Sequence, residues 1–191
     1  MPSHQSFLPL VELCDNFSVP PTHPDLVSFC IPSDTSTVVG LLQPSVVNEL
    51  LRDNAQAAGA GQQPSWGVIH CEIMRADQPQ VIRAVCFSDH LSNRELRSAT
   101  ISKLCRRWHE EGVFPDVIGG HLWRSELYPV YANPFGPYER DNVVFEVERA
   151  AAALFGVVAY GIQMTLYMPP PPDSGEEMKI WVSTRAKTKQ E

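Results

Sequence analysis

The segment RELRSATISKLCRRWHEEGV holds the densest set of side chains that could do chemistry. Arg94 and Glu95 open it, Glu110 and Glu111 lie near its end, and Lys103, Arg106 and Arg107 fall between. Glutamates projecting from one helix can hold a divalent cation, which neutralises a diphosphate and helps to activate water. That arrangement places an Arg-Glu-aliphatic triplet and a Glu-Glu pair one residue apart. Here thirteen residues separate Arg94-Glu95-Leu96 from Glu110-Glu111-Gly112-Val113, so the segment is rejected as a metal motif. Arg94, Arg97, Lys103, Arg106 and Arg107 could also form a phosphate-binding or docking face. Glu95, Glu110 and Glu111 interrupt it, and a solvated helix surface is the simpler reading.

Other chemistry is sparse. The histidines at 4, 23, 70, 90, 109 and 121 are scattered, and no pair has metal-ligand spacing. There is no G-x-S-x-G sequence and no glycine-rich phosphate loop. The cysteines at 14, 30, 71, 86 and 105 are odd in number and form no C-x-x-C pair. Cys71 and Cys86 fall in strand-like runs and Cys105 on a helix face, which reads as reduced core thiols of a cytoplasmic protein. Arg124 and Glu126 alternate with Trp123 and Ser125 and would share one strand face, as an ion pair or the polar floor of a pocket.

The elements that must position these residues follow from periodicity. Leu10 to Phe17 has a short helical pattern, followed by the proline-broken connection VPPTHP. Thr37 to Leu42 reads as a strand, and Pro44 opens a short helix carrying Val46, Val47, Leu50 and Leu51. Asn54 to Pro64 (NAQAAGAGQQP) reads as a flexible connection. Strands at Trp66 to Met74 and Gln80 to Phe87 form a hairpin around Ala76-Asp77-Gln78-Pro79. A helix spans Asn93 to Glu111, with Ser92 and Glu95 at capping-box spacing and Gly112 as its stop. Ile101, Leu104, Cys105 and Trp108 form its buried stripe.

A strand at Trp123 to Ala132 precedes a second amphipathic helix, Asp141 to Phe155, which places Val143, Val147, Ala150, Ala151 and Leu154 on one face. Strands at Val157 to Met168 and Lys179 to Arg185 close the chain, joined through PPPPDSGEE in an extended polyproline segment. The whole reads as α+β: a mainly antiparallel sheet, holding Trp66 to Met74, Gln80 to Phe87 and Trp123 to Ala132, with two packed amphipathic helices.

Composition sets the outer limits. A 191-residue chain with 43% hydrophobic and 19% charged residues can bury a core. A net charge of −7 argues against general affinity for nucleic acid or an anionic membrane. The longest apolar run, Ala150 to Ile162, has thirteen residues and two glycines, too short to span a bilayer. The start lacks the basic and apolar regions of a signal peptide.

Three segments carry a family resemblance. WRSELYPVY (Trp123 to Tyr131), ERAAAALFGVVAYGIQ (Glu148 to Gln163) and MKIWVSTRAKTK (Met178 to Lys189) resemble fungal thiamine-pyrophosphokinase-related Nudix hydrolases, and the likeness covers roughly Val38 to Lys189. It implies an N-terminal α+β domain over residues 1–155, of a type found ahead of Nudix domains. Residues 156–191 would then be the first β-hairpin of a Nudix domain, with YGIQMTLYM as one strand and KIWVSTR as its partner. The metal motif weighed above is the Nudix box of this family; on the resemblance it would follow a segment like K-x-x-Y-P-G-x-L-D-x-x-V-A-G-G that this sequence does not reach.

The resemblance further implies Mg2+-dependent hydrolysis of a small diphosphate such as a thiamine-diphosphate-like compound, with the Mg2+ ligands absent from this sequence. The chain alone is then expected to be inactive. Arg185 would meet a phosphate through its guanidinium fork, and Trp181 would stack on an aromatic ring of the substrate. Gln163 stands where the family pattern has a histidine, which puts a substrate contact from that strand in doubt. The terminal hairpin would offer an apolar surface for self-association. The alternative is a non-catalytic module that binds a ligand or partner.

Overall fold

The computed structural model describes residues 26–31, 34–70, 81–137, 139–161, 164–171 and 174–182. Four strands, β1 (Val27–Ile31), β2 (Asp34–Leu42), β3 (Trp66–His70) and β4 (Ile82–Phe87), form one sheet in the order β2-β1-β4-β3. β1–β2 and β3–β4 pair antiparallel, and the central β1–β4 pair is parallel. The apolar alternation in Val27–Ile31 is only five residues long and sits between prolines, so this central strand was not apparent from sequence. Its Phe29 is fully buried and meets the rings of Trp66, Phe87, Phe145 and Phe155 at centroid distances of 5.3–6.4 Å, the aromatic centre of the core. The Leu10 to Phe17 helix, the hairpin tip at 76–79, Cys14 and Cys71 lie outside the described residues.

Helix α1 (Pro44–Gly59) buries Val46, Val47 and Leu50 and runs six residues into the stretch read as a flexible connection. Ala55, Ala57 and Ala58 explain the extension, since alanine is the strongest helix former. Helix α2 (Arg94–Glu111) buries Ile101, Leu104, Cys105 and Trp108, as its stripe requires. Its cap differs from the expected one: the side chain of Asn93, not Ser92, accepts from the backbone N–H of Leu96 at 2.9 Å. The Ser92 carbonyl accepts instead from Arg97. Gly112 ends the helix at φ 66°, a left-handed conformation that glycine adopts without a Cβ penalty.

The expected helix over Asp141 to Phe155 is replaced by strand β6 (Val143–Glu148) followed by a 3-10 turn, Arg149–Ala153. Its apolar spacing fits both periods, but VVFEV is β-branched and aromatic, and the partner strand β5 (Leu127–Tyr131) lies ready to pair with it antiparallel. β5–β6 is a separate two-stranded sheet, not an extension of the first, and α2 packs across β6. The second amphipathic helix of the α+β fold is therefore α1. Gly156, at φ 56°, lies so close to the Leu41 carbonyl that no side chain could fit there.

The described residues form two compact units, one ending at Val158 and the other beginning at Ala159. In the second, β7 (Leu166–Met168) pairs antiparallel with β8 (Lys179–Trp181). Both strands are shorter than the sequence suggested.

Candidate functional site

The polar residues that the fold brings together lie where α1, the 60–65 connection and α2 converge. Asp53 is on the last turns of α1, and Arg107 is about one turn from the end of α2. Arg107 Nη2 donates to Asp53 Oδ1 at 2.7 Å, and the buried Trp66 indole donates to Asp53 Oδ2 at 2.6 Å. Asn54 binds the Trp66 backbone reciprocally: its amide donates to the carbonyl at 2.6 Å and its oxygen accepts from the N–H at 3.0 Å. An asparagine thereby satisfies both main-chain groups at the start of edge strand β3, groups that would be costly to leave unpaired.

Beside this network runs a groove of about 170 Å3. Asp53, Gln56, Gln63, Thr100, Lys103 and Arg107 line it, over an apolar floor of Ala57 and Leu104. Asp53 and Gln56 come from α1, whereas Thr100, Lys103 and Arg107 recur on one face of α2. Sequence reasoning missed the groove because Gln56, Ala57, Gln62 and Gln63 lie in the stretch taken for a linker. The signal available was the i, i+3, i+7 spacing of Thr100, Lys103 and Arg107, which sets three polar groups on one helical face.

The structure divides the basic residues of α2. Arg97 is tied to three carbonyls, those of Leu91, Ser92 and Val144, at 2.8–3.1 Å, and burial lowers its pKa from the usual guanidinium value. Arg94 lies against its neighbour Glu95, and Arg107 is engaged with Asp53. Lys103 and Arg106 are exposed and have no ionic partner among the described residues. Glu110 and Glu111 are exposed at the helix end, and no group of three histidine, cysteine, aspartate or glutamate side chains comes together among the described residues. These residues do not fit a Mg2+ site.

Arg124 and Glu126 do not share a strand face, because β5 begins only at Leu127 and Ser125 has φ 55°. Glu126 instead makes an exposed two-oxygen contact with Arg149 at 2.8 and 2.9 Å. The buried acid nearby is Glu148, 4% exposed, whose Oε1 accepts from the N–H groups of Arg124 at 3.1 Å and Ala150 at 3.3 Å. It caps the Arg149–Ala153 turn. Burial pushes the Cys105 thiol well above its ordinary range, and the negative charge of Glu148 adds to the effect. Desolvation, and then Asp89, raise Cys86 in the same direction. Neither thiol has the lowered pKa of a nucleophile.

Of the residues expected to meet substrate, Trp181 lies on β8 with 70% of its surface exposed. Gln163 and Arg185 lie outside the described residues. Among the described residues no helix is long and apolar enough to cross a membrane.

Residues 7–159 match a family model described as a domain of unknown function, DUF4743. An uncharacterized protein of Saccharomyces cerevisiae, YJR142W, is 35% identical over 94 residues, covering 49% of this chain and 24% of that protein. Nudix hydrolase 20, chloroplastic, of Arabidopsis thaliana is 29% identical over 99 residues, covering 52% of this chain and 22% of that protein. The matched regions thus span about a quarter of the length of these relatives.

Proposed function

This chain belongs to the DUF4743 family, and on that premise we propose that it supplies the N-terminal module of a Nudix-type diphosphate hydrolase. The observation that carries the reading is a coincidence of boundaries. The family match stops at residue 159, the first compact unit stops at Val158, and the strands that follow carry bare apolar side chains. The similarity to a Nudix hydrolase supports the same assignment. In it, residues 1–155 are the module and 156–191 contribute the first hairpin of the Nudix domain. The resemblance of WRSELYPVY, ERAAAALFGVVAYGIQ and MKIWVSTRAKTK to the thiamine-pyrophosphokinase-related branch supports a thiamine-diphosphate-like substrate, a Mg2+ requirement, and contacts from Trp181, Gln163 and Arg185. A cytoplasmic setting belongs to the same proposal and is supported by the buried thiols of Cys86 and Cys105. So does self-association through the hairpin, supported by its exposed Leu166, Tyr167, Ile180 and Trp181.

The test is the transcript beyond the codon for Glu191, read together with an assay of the 191-residue protein. The expected outcome is an in-frame Nudix box downstream, and no Mg2+-dependent hydrolysis of thiamine diphosphate by the 191-residue protein above a no-enzyme control. A genuine stop codon there would overturn the reading in favour of a stand-alone binding module. Turnover abolished by changing Glu110 and Glu111 together would show that the glutamates of α2 hold the metal after all.

A further inference from the structure

We infer that the groove between α1 and α2 is a binding site for a small hydroxylated organic phosphate, independent of the hydrolase reading. Three observations converge on that class. Lys103 presents an ammonium at the groove without an ionic partner among the described residues. Arg107, four residues on, is fixed in place by Asp53, which the Trp66 indole holds from its other oxygen. Only one nitrogen of its guanidinium has a hydrogen-bond acceptor among the described residues, so further N–H donors remain. A lysine and an arginine one turn apart supply a point charge and a fixed donor array, the pairing suited to phosphate oxygens.

Asp53 does not cancel this attraction. Its two oxygens already accept from Arg107 and Trp66, and Lys103 leaves the group of three charges at a net of plus one in a chain of −7. Apart from Asp53, the opposite wall is uncharged and rich in carboxamides, Gln56 and Gln63 among them. Such groups donate and accept at once, which suits hydroxyls rather than a second anion. Thr100 Oγ1 donates to the Leu96 carbonyl at 2.9 Å, leaving the hydroxyl oxygen as an acceptor. The floor of Ala57 and Leu104 leaves room for a short carbon skeleton. The volume, about 170 Å3, equals that of roughly six waters and is enough to seat a phosphate with a few carbons.

The experiment is a titration of the full 15N-labelled chain at constant ionic strength with glycerol phosphate, inorganic phosphate or glycerol. Amide shifts are followed at Gln56, Gln63, Thr100, Lys103 and Arg107. Glycerol phosphate should give saturable shifts confined to these positions, with a midpoint on the order of a millimolar. Inorganic phosphate should bind more weakly, and glycerol alone should not bind. Lys103→Gln, at an exposed position that leaves the fold intact, should weaken glycerol phosphate by about tenfold, the usual cost of one charged hydrogen bond. Lys179→Gln on β8 should change nothing. Linear shifts without saturation, equal binding of inorganic phosphate, or an unaltered midpoint in Lys103→Gln would each overturn the assignment, equal binding indicating an adventitious ion only.

Discussion

β5–β6 and β7–β8 are both two-stranded antiparallel pairs, yet they stand at opposite extremes of burial. In β5–β6, Val130, Val144, Phe145 and Val147 are buried, and α2 covers β6. The helix also reaches the strand backbone: Arg97 Nη1 donates to the Val144 carbonyl at 3.1 Å, and the Ser98 hydroxyl accepts from the Glu146 N–H at 2.8 Å. In β7–β8 all six strand residues are exposed, and among the described residues the side-chain ties are an exposed Lys179–Glu176 pair at 3.5 Å and a Ser174 turn contact. The difference teaches that strand pairing by itself supplies little. A lone hairpin is marginal in water, and stability comes when a second layer removes one face from solvent.

The largest effect that would break this comparison is at Phe145. Its ring is fully buried and packs at 5.3 Å against Phe87 and 5.9 Å against Phe29. Phe145→Ala should cost about 3–5 kcal/mol in urea denaturation, enough to leave much of the first unit unfolded. A loss below about 1 kcal/mol would mean that the aromatic centre is not what anchors β6.

A smaller loss is expected where polar groups close the covered unit. Asn54→Ala removes both side-chain partners of the Trp66 backbone at the start of β3. The cost should be about 1–3 kcal/mol, because a partly buried N–H and C=O are left unsatisfied. Asn54→Asp should recover less than half of it, since a carboxylate accepts from the N–H but cannot donate to the carbonyl. Full recovery would show that the amide donor bond contributes nothing.

These two sites also mark what could be read in advance. The α2 stripe, the β3–β4 hairpin and the α+β class were legible, because their periodicity is reinforced by turn residues and a glycine stop. Val143 to Leu154 was not, because apolar residues at 143, 147, 150, 151 and 154 satisfy a helical face while their identities favour a strand. Only the presence of β5 decides between them, and that is a tertiary fact. The groove was hidden for a related reason. Gln56 looks like a linker residue until α1 is seen to continue through an alanine-rich stretch with no hydrophobic signal, and Gln63 follows in the short connection beyond it. Charge counting on α2 named Lys103 and Arg107 but could not separate them from Arg97, which is tied to the nearby carbonyls of Leu91 and Ser92 and to the distant one of Val144.

Cys105 tests the covered layer by pH. Burial, and secondarily Glu148, raise its thiol above the ordinary value near 8.5. The sign follows from proton counts. Above about pH 8.5 the unfolded chain has lost this proton and the folded chain keeps it, so stability falls as pH rises. The contribution is complete below that pH and declines by about 1.4 kcal/mol per unit above it. Urea denaturation between pH 8 and 10 (roughly the window set by that thiol value) should therefore be steeper in the wild type than in Cys105→Ala, which no longer has the thiol. Parallel slopes would place the thiol in contact with water.

The smallest effect should come from the bare hairpin. Trp181 is the largest side chain on β8, and 70% of its surface is exposed. Truncating it removes little buried area, so Trp181→Ser should shift the unfolding of the first unit by no more than about 0.5 kcal/mol. Hydrogen exchange on the dilute protein gives the same contrast amide by amide. Those of β7 and β8 should exchange through local opening at a cost near zero, whereas those of Ile101 to Trp108 should require unfolding of the unit. Concentration separates the two explanations for any protection found. If copies associate through the hairpin, its amides slow as protein concentration rises, and Trp181→Ser restores the fast rate. If they are as protected as α2 at every concentration, a second layer covers them within one chain. The hairpin then belongs to a finished domain, and its assignment as the opening of a Nudix domain fails.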